Sequence, residues 1–115
     1  MKDIDKLKEI LLSLYREEGP ERVGFIHGDS KIVEVKNFSD KPMDGFKVGA
    51  KDLIDHTDQE DCWATWHTHP KDVSNLSGED YHSFKSWPDL HHFIIGNDGV
   101  KVYKWSYEKD ALLEV

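Results

Sequence analysis

The chain has 115 residues, a length that suits one domain with a single hydrophobic core. Hydrophobic residues make up 37% and charged residues 33%, with four Trp, four Tyr and five Phe, so the composition excludes a disordered segment and favours a globular protein. Fifteen Lys and Arg stand against twenty-three Asp and Glu, and the net charge of -8 argues against a nucleic-acid partner because it would repel the phosphate backbone.

The first predicted element is an amphipathic helix near the start of the chain. Between Ile4 and Tyr15 the apolar residues recur at three- and four-residue steps, and Gly19 and Pro20 end the segment. The segment is acidic and periodic, unlike the continuous apolar core of a signal peptide, and no part of the chain reaches the roughly 20 apolar residues of a membrane helix. We therefore expect a soluble protein with no membrane partner.

A hairpin and a short helix are predicted next. Residues 22–28 and 31–37 are β-branched or aromatic runs separated by a Gly-Asp-Ser turn, a pattern typical of two paired strands. Turn-forming residues fill 38–45. Residues 50–57 then have the spacing of a helix, in which Leu53 and Ile54 are expected to face inward.

The second half of the chain is predicted to contain further strands and one more helix. The strands are expected at residues 62–69, 90–96, 100–106 and 111–115, and the helix begins at Ser77, with Tyr81 and Phe84 on its packed face. Strands with three interspersed helices predict one domain, residues 1–115, of the α/β or α+β class, in which helices flank a sheet.

The strand predicted at 62–69 ends in the stretch that most indicates chemistry. Residues two apart on a strand share a face and lie about 6.5 Å apart, so His67 and His69 can direct two imidazoles at one point. Imidazole and carboxylate both bind zinc, and a catalytic zinc site uses three protein ligands. Asp80, one turn into the helix after a six-residue loop, is the natural third ligand.

Cysteine usage narrows the kinds of site and location. Cys62 is the only cysteine, which excludes an internal disulfide and a zinc site built on several thiolates, and we expect a reducing, cytoplasmic location. It also excludes a zinc deaminase, because that chemistry needs a Pro-Cys-x-x-Cys ligand pair.

Each half of the motif also has a purely structural explanation. A His-x-His pair arises by chance in a chain with seven histidines and occurs on solvated strand edges. Ser77 and Asp80 have the spacing of a capping box, in which the serine accepts a hydrogen bond from a helix amide and the acid suits the helix dipole. Taken separately, neither half identifies a site.

Taken together, the two halves are more specific. His67-x-His69-Pro70, followed after six residues by Ser77-x-x-Asp80, resembles the signature of the JAMM (MPN-plus) zinc metalloproteases. The likeness extends from the first predicted strand to the hairpin at 94–105, which is most of the chain.

The JAMM signature also includes a glutamate upstream of the histidines. Glu21 matches it, because Gly24 and Gly28 follow at three and seven residues, as in the family's Glu-x-x-Gly strand. Glu17 and Glu18 are the competing glutamates, but they lie before the glycine and proline that end the first helix.

The resemblance implies a fold and a role for each matched residue. The fold is the cytidine-deaminase-like one, a curved sheet flanked by helices with zinc at the sheet's end. His67, His69 and Asp80 would hold the Zn²⁺, and Glu21 would be the general base that activates a water. Ser77 would donate a hydrogen bond to the oxyanion, a role that needs the same hydroxyl as helix capping.

The implied activity is that of a zinc-dependent peptidase or isopeptidase that cuts an amide bond in a protein or peptide, as JAMM proteins do next to a ubiquitin-like tail. Three alternatives stay open: a phage tail-assembly type of JAMM domain, suggested by residues 33–48, a non-catalytic MPN scaffold, and a structural zinc site closed by Glu21. The chain has thirty-five residues after Asp80, so we expect no long insertion of the kind that confers ubiquitin-linkage specificity. Nothing in the sequence demands an oligomer.

The remaining aromatic and imidazole side chains near the motif are assigned to packing or to the surface. They are His27, His82, His91, His92, Trp63 and Trp66. Thr68 stands where many JAMM members have serine, and we expect little consequence because its side chain points away from the metal.

Overall fold

A six-stranded mixed sheet and three helices form the fold in the computed structural model, which describes residues 3–43 and 45–115. In chain order the elements are α1 (Ile4–Leu12), β1 (Val23–His27), β2 (Lys31–Val35), α2 (Ala50–Thr57), β3 (Cys62–Thr68), α3 (Gly78–Lys85), β4 (His91–Gly96), β5 (Gly99–Ser106) and β6 (Ala111–Glu114). The strand order is β2-β1-β3-β4-β5-β6, with β3 and β4 parallel and the other neighbouring pairs antiparallel. The predicted single α+β domain is confirmed, although Met1, Lys2 and Asp44, which belong to the predicted ranges, lie outside the described residues.

The two faces of the sheet are covered by different helices. On one face, α1 buries its apolar stripe against β4 and β5 in a core cluster that consists of Leu7, Leu11, Ile26, Trp63, Ala64, Trp66, Phe93, Ile95 and Val102. On the other face, α3 packs against β5 and β6, and its Phe84 contacts Ile94 and Tyr103. Because side chains alternate along a strand, His67 lies on the α3 face and Trp66 on the α1 face.

Close packing between β1 and β3 explains one glycine of the motif. Gly24 lies opposite Trp66 in the register, and a Cβ atom at this position would overlap the Trp66 indole and the Val33 carbonyl oxygen. The indole Nε1 donates to that carbonyl at 3.2 Å, and the tryptophan is fully buried. The glycine three residues after Glu21 therefore serves the core, and Trp66 is a core residue, as predicted.

The first helix is shorter than its sequence pattern predicts. α1 ends at Leu12, after which the Ser13 hydroxyl donates to the carbonyl three residues back at 2.6 Å. The amides of Leu14 and Tyr15 also bond to carbonyls three residues back, at 2.9 and 3.1 Å, which tightens the chain. The predicted end at Gly19 is wrong, but Leu14 and Tyr15 still pack against the core.

The other elements lie close to their predicted ranges. α2 spans the predicted residues, and each strand begins and ends within two residues of its predicted bounds. The expectation that Ile54 faces inward is wrong, because its side chain is 56% exposed, whereas Leu53 is half-buried. Within the described ranges, no helix combines the length and the apolar character that crossing a membrane requires.

Strand register brings the motif residues to one end of the sheet. Val23 pairs with His67, so Glu21, two residues before Val23, lies beside the C-terminal end of β3. The amide of His69 donates to the Ile95 carbonyl at 2.7 Å, which continues the β3–β4 pairing past the end of β3.

The loop that follows is fixed to the next hairpin. The amide and the hydroxyl of Ser74 both donate to the Asp98 carboxylate at 2.8 Å, and the Asn97 amide donates to the Asp72 carbonyl at 2.8 Å. This attachment turns the chain back, so that α3 begins above the end of β3.

Candidate metal centre

Two imidazoles meet at the end of β3. His67 is 1% exposed, and its Nε2 atom lies 3.0 Å from the Nε2 atom of His69. His69 directly follows the strand and is half-buried. The two side chains share a face because they are two residues apart, as the sequence spacing predicts.

The carboxylate of Asp80 contacts both imidazoles. Its Oδ1 atom lies 3.1 Å from Nε2 of His67, and its Oδ2 atom lies 3.1 Å from Nε2 of His69. Asp80 is in the first turn of α3 and is 4% exposed. The structure therefore brings together the three side chains that the sequence predicts as ligands.

The hydrogen-bonding state of His69 makes this contact unusual. Its Nδ1 atom lies 2.9 Å from the carbonyl oxygen of Val73, and a carbonyl only accepts, so Nδ1 carries the proton of the neutral ring. The Nε2 lone pair then faces the Asp80 carboxylate, whose oxygens also carry lone pairs. Such a contact is attractive only if a second proton or a metal cation lies between the atoms.

The pKa values in the cluster follow from the same contacts. Burial lowers the pKa of His67. Burial alone would also lower the pKa of His69, but its bonds to Asp80 and to the Val73 carbonyl outweigh that effect and raise it. Burial alone would raise the pKa of Asp80, but hydrogen bonds to the two imidazoles hold it well below its usual range. The carboxylate is therefore anionic at neutral pH.

The fourth predicted residue lies next to this cluster. Glu21 is 7% exposed, and one carboxylate oxygen of Glu21 and one ring nitrogen each of His67 and His69 all lie within 4.8 Å of one another. Its backbone is held on both sides: the amide donates to the Pro42 carbonyl at 2.7 Å, and the carbonyl accepts from the Asn37 side chain at 2.9 Å.

The donor set fits a zinc ion. Two imidazole nitrogens and a carboxylate are preferred zinc ligands, and ligand atoms bound tetrahedrally to one zinc stand about 3.3 Å apart. The contacts among His67, His69 and Asp80, at 3.0 to 3.1 Å, approach that separation. The Val73 carbonyl orients the second imidazole, as outer partners of metal-bound histidines do.

Ser77 caps α3 at the edge of the cluster. Its hydroxyl accepts from the Asp80 amide at 3.1 Å, and its own amide donates to Asp80 Oδ2 at 3.3 Å, so the predicted capping box is present. A hydroxyl has one hydrogen to donate and two lone pairs. Capping uses a lone pair, so the hydrogen stays available, and the expected conflict between capping and catalysis does not arise.

A cleft of about 500 Å³ opens over these residues. We call it the site cleft, and its lining includes Glu21, Phe46, His69, Ser77, Glu79, Asp80 and His82. His82 is exposed, in agreement with its assignment to packing or to the surface, and its side chain forms part of this wall. A molecule in the cleft can contact the His69 imidazole, the carboxylates of Glu21 and Asp80, and Ser77 together.

Asn37 is a residue of the site that sequence reasoning missed. Its side-chain amide donates to the carbonyls of Glu21 and Gly45 at 2.9 and 3.0 Å, and its side-chain oxygen accepts from the amides of Ser39 and Lys47, both at 3.0 Å. These four bonds fasten Ser39, Gly45 and Lys47 to the backbone of Glu21, and Gly45 contributes to the wall of the site cleft.

The hydroxyl of Thr68, which a serine would also supply, connects two parts of the site. It accepts from the Arg22 amide at 2.9 Å, and the Thr68 amide donates to the Arg22 carbonyl, also at 2.9 Å. The side chain points away from the imidazoles, as predicted, and it is 1% exposed. It ties the residue after Glu21 to the residue between the two histidines.

Three of the remaining histidines take part in packing, as predicted. His27 contacts Asp61 through Nδ1 at 3.0 Å and His56 through Nε2 at 2.8 Å. His92 stacks on Phe84 with ring centroids 4.1 Å apart, and His91 meets the edge of Trp63 at 5.4 Å.

Neither the protein-family models nor the curated proteins that were compared with the chain include a match to it.

Proposed function

We propose that this protein is a zinc-dependent peptidase or isopeptidase of the JAMM type, which hydrolyses an amide bond in a protein or peptide. The observation that carries the proposal is the contact of two imidazole nitrogens and one carboxylate at 3.0 to 3.1 Å, with the proton of His69 committed to the Val73 carbonyl. The two neutral imidazoles and the carboxylate can all direct lone pairs at one point, and a metal cation at that point would satisfy all three groups.

The proposal includes the cytidine-deaminase-like fold of the JAMM family. Its support is the position of the motif: Glu21 before β1, the two histidines at the end of β3 and Asp80 at the start of α3 all lie at one end of a mixed sheet with helices on both faces. An open cleft over the cluster favours an enzyme over a scaffold.

His67, His69 and Asp80 would hold the ion. Zinc, when bound, supplies a Lewis acid that polarises a carbonyl and brings the pKa of water down to about 7. We assign Asp80 as the third ligand because its two oxygens lie 3.1 Å from the two ring nitrogens, whereas a Glu21 oxygen and those nitrogens lie within 4.8 Å of one another.

The chain's own groups perform the proton transfers. Glu21 takes a proton from the attacking water as the water oxygen forms a bond to the carbonyl carbon. The Ser77 hydroxyl donates to the oxyanion that develops on the carbonyl oxygen. When the carbon–nitrogen bond breaks, Glu21 returns the proton to the leaving amine. One water is consumed, and the products are a carboxylic acid and an amine.

The test separates the base from the ligands. Zinc-loaded protein is incubated with a proteome-derived peptide library and with a ubiquitin-like protein fused through its C-terminal tail, and cleavage is read by mass spectrometry. Glu21→Gln should keep its zinc and lose at least about a hundredfold in cleavage rate. His67→Ala and Asp80→Ala should lose the zinc, which elemental analysis measures. Glu79→Gln, which changes an exposed acid of the same cleft, should behave as wild type.

Three outcomes contradict the proposal. Cleavage by Glu21→Gln at the wild-type rate would show that Glu21 is not the general base. Zinc loss in Glu21→Gln as complete as in His67→Ala would make Glu21 a ligand and the site structural. If zinc-loaded wild type leaves both the peptide library and the fusion protein uncut, the protein does not have the proposed activity.

A further inference from the structure

A second cavity lies directly beside the metal centre, on the same face of the sheet. We call it the apolar cavity; its volume is about 230 Å³, and its apolar walls include Phe25, Val48, Leu53, Phe84, Trp87 and Leu90. The ring of His67 is also part of its lining, while Phe46 and Ser83 line both this cavity and the site cleft. The two spaces therefore adjoin at the residues that border the predicted ligands.

Most polar groups in the apolar cavity are already satisfied. The Thr65 hydroxyl lies 2.7 Å from Nδ1 of His92, and Nε2 of His92 donates to the Trp87 carbonyl at 3.0 Å. Lys47 and Ser83 are exposed, so water satisfies their polar atoms. An occupant therefore meets mainly hydrocarbon and aromatic surface.

One buried polar atom of the lining has no partner. Within the described part of the chain, Nδ1 of His67 makes no hydrogen bond, although the residue is 1% exposed. Its ring packs against Phe46 at 4.5 Å and Phe84 at 5.8 Å between centroids. When Nε2 serves the metal, Nδ1 carries the proton. An apolar occupant leaves this nitrogen unpaired, so the atom does not select the occupant, but it places a predicted metal ligand in the wall of the apolar cavity.

We propose that the apolar cavity receives a large apolar side chain of the substrate, from a residue next to the scissile amide. The inference rests on the proposed function, because His67 belongs both to the predicted metal centre and to the wall of the apolar cavity. A substrate carbonyl in the site cleft therefore brings the flanking side chain to the border formed by Phe46 and Ser83.

The lining selects the class of side chain. Leucine, methionine and phenylalanine gain free energy by leaving water for apolar walls. Glycine and alanine would leave the space unfilled, and a lysine or arginine side chain would lose its hydration without finding a carboxylate in the lining. Pockets of this kind discriminate between side chains by about tenfold to two-hundredfold.

The test compares two adjacent residues of α2, Leu53, which lines the apolar cavity, and Ile54, which is exposed. Leu53→Phe narrows the apolar cavity, while Ile54→Phe adds the same ring on the exposed side of α2. With the peptide library, wild type should prefer a large apolar residue on one side of the cut. Leu53→Phe should cut those sites at least about tenfold more slowly relative to glycine or alanine sites, and Ile54→Phe should keep the preference.

A binding measurement keeps this inference separate from the proposed function. Amide NMR signals of Leu53 and Thr65 are followed as N-acetyl-leucinamide or N-acetyl-glycinamide is added. Saturable shifts with the leucine probe alone, weakened at least tenfold in Leu53→Phe, support the cavity even if no peptide is cut. If Leu53→Phe does not fold, Leu53→Ala takes its place and should shift the preference toward larger side chains.

Two results overturn the inference. Cleavage without a preference for apolar residues next to the cut would support the hydrolase activity but would show that the apolar cavity does not bind a substrate side chain. Equal binding of the leucine and glycine probes, or none of either, would show that the cavity does not recognise an apolar side chain.

Discussion

The hydroxyl of Ser77 shows how one small side chain can serve both folding and chemistry. Its oxygen accepts the Asp80 amide and so begins the helix that carries a predicted ligand. Capping does not use the hydroxyl hydrogen, and the residue is exposed on the wall of the site cleft. The two roles can be separated, because helix capping tolerates glycine and oxyanion binding does not.

Ser77→Gly is therefore expected to lower the free energy of unfolding by only a few tenths of a kcal/mol, since glycine is an adequate N-cap. The turnover number should fall by about a hundredfold or more, because the donor to the oxyanion is gone. Urea unfolding measures the first quantity and single-substrate kinetics the second. Ser77→Thr, which keeps a hydroxyl, should retain both, and full activity in Ser77→Gly would leave the serine with a capping role alone.

The segment between β2 and α2 positions the predicted general base. Its fixed point is Asn37, whose four hydrogen bonds join the Glu21 backbone to the segment that contains Phe46. Phe46 in turn lies over the ring of His67 with centroids 4.5 Å apart. Asn37 therefore helps to position both Glu21 and Phe46, the residue that packs on His67, through backbone hydrogen bonds alone.

Removing this asparagine should disturb catalysis more than metal binding. Asn37→Ala leaves two carbonyls and two amides without their partners, which is expected to cost about 1–3 kcal/mol in unfolding free energy. The turnover number should fall at least tenfold because Glu21 is no longer held in place, while zinc content stays unchanged. Asn75→Ala is the matched control, since that exposed asparagine bonds only to Lys101 among the hydrogen bonds of the described side chains. Zinc loss in Asn37→Ala would instead indicate general disruption of the site.

Sequence patterns predicted the elements and the motif because both depend on local spacing. Alternation and turn residues gave the six strands to within two residues, and the two-residue step between His67 and His69 gave their shared direction. Asn37 escaped prediction because its partner Glu21 is 16 residues away and because nothing in the turn-rich segment indicates which side chain bridges it. The end of α1 at Leu12 was also not predicted, because the apolar spacing continues to Leu14 and Tyr15, whose amides bond to carbonyls three residues back.

Across the whole molecule, buried histidines link stability to pH. Burial lowers the pKa of His92 to about 4, and its ring is packed between Phe84, Thr65 and the Trp87 carbonyl. The unfolded chain takes up this proton near pH 6.5 and the folded chain only near pH 4. The neutral ring therefore contributes stability above pH 6.5, and that contribution is lost as the pH falls toward 4.

The size of this loss is measurable. One proton contributes about 1.4 kcal/mol per pH unit, so about 3 kcal/mol should disappear across the interval. Urea unfolding at several pH values, with a chelator present to remove metal effects, should give a steeper pH dependence for wild type than for His92→Gln. Parallel curves for the two proteins would show that His92 titrates normally in the folded state.

The position of a zinc ion tests the central claim most directly. Crystals of the zinc-loaded protein, measured on both sides of the zinc absorption edge, give an anomalous map in which the metal alone stands out. We predict one strong peak in contact with Nε2 of His67, Nε2 of His69 and the carboxylate of Asp80, with Glu21 near it but not bound to it. A peak elsewhere on the molecule, or no peak from protein saturated with zinc, would contradict the account.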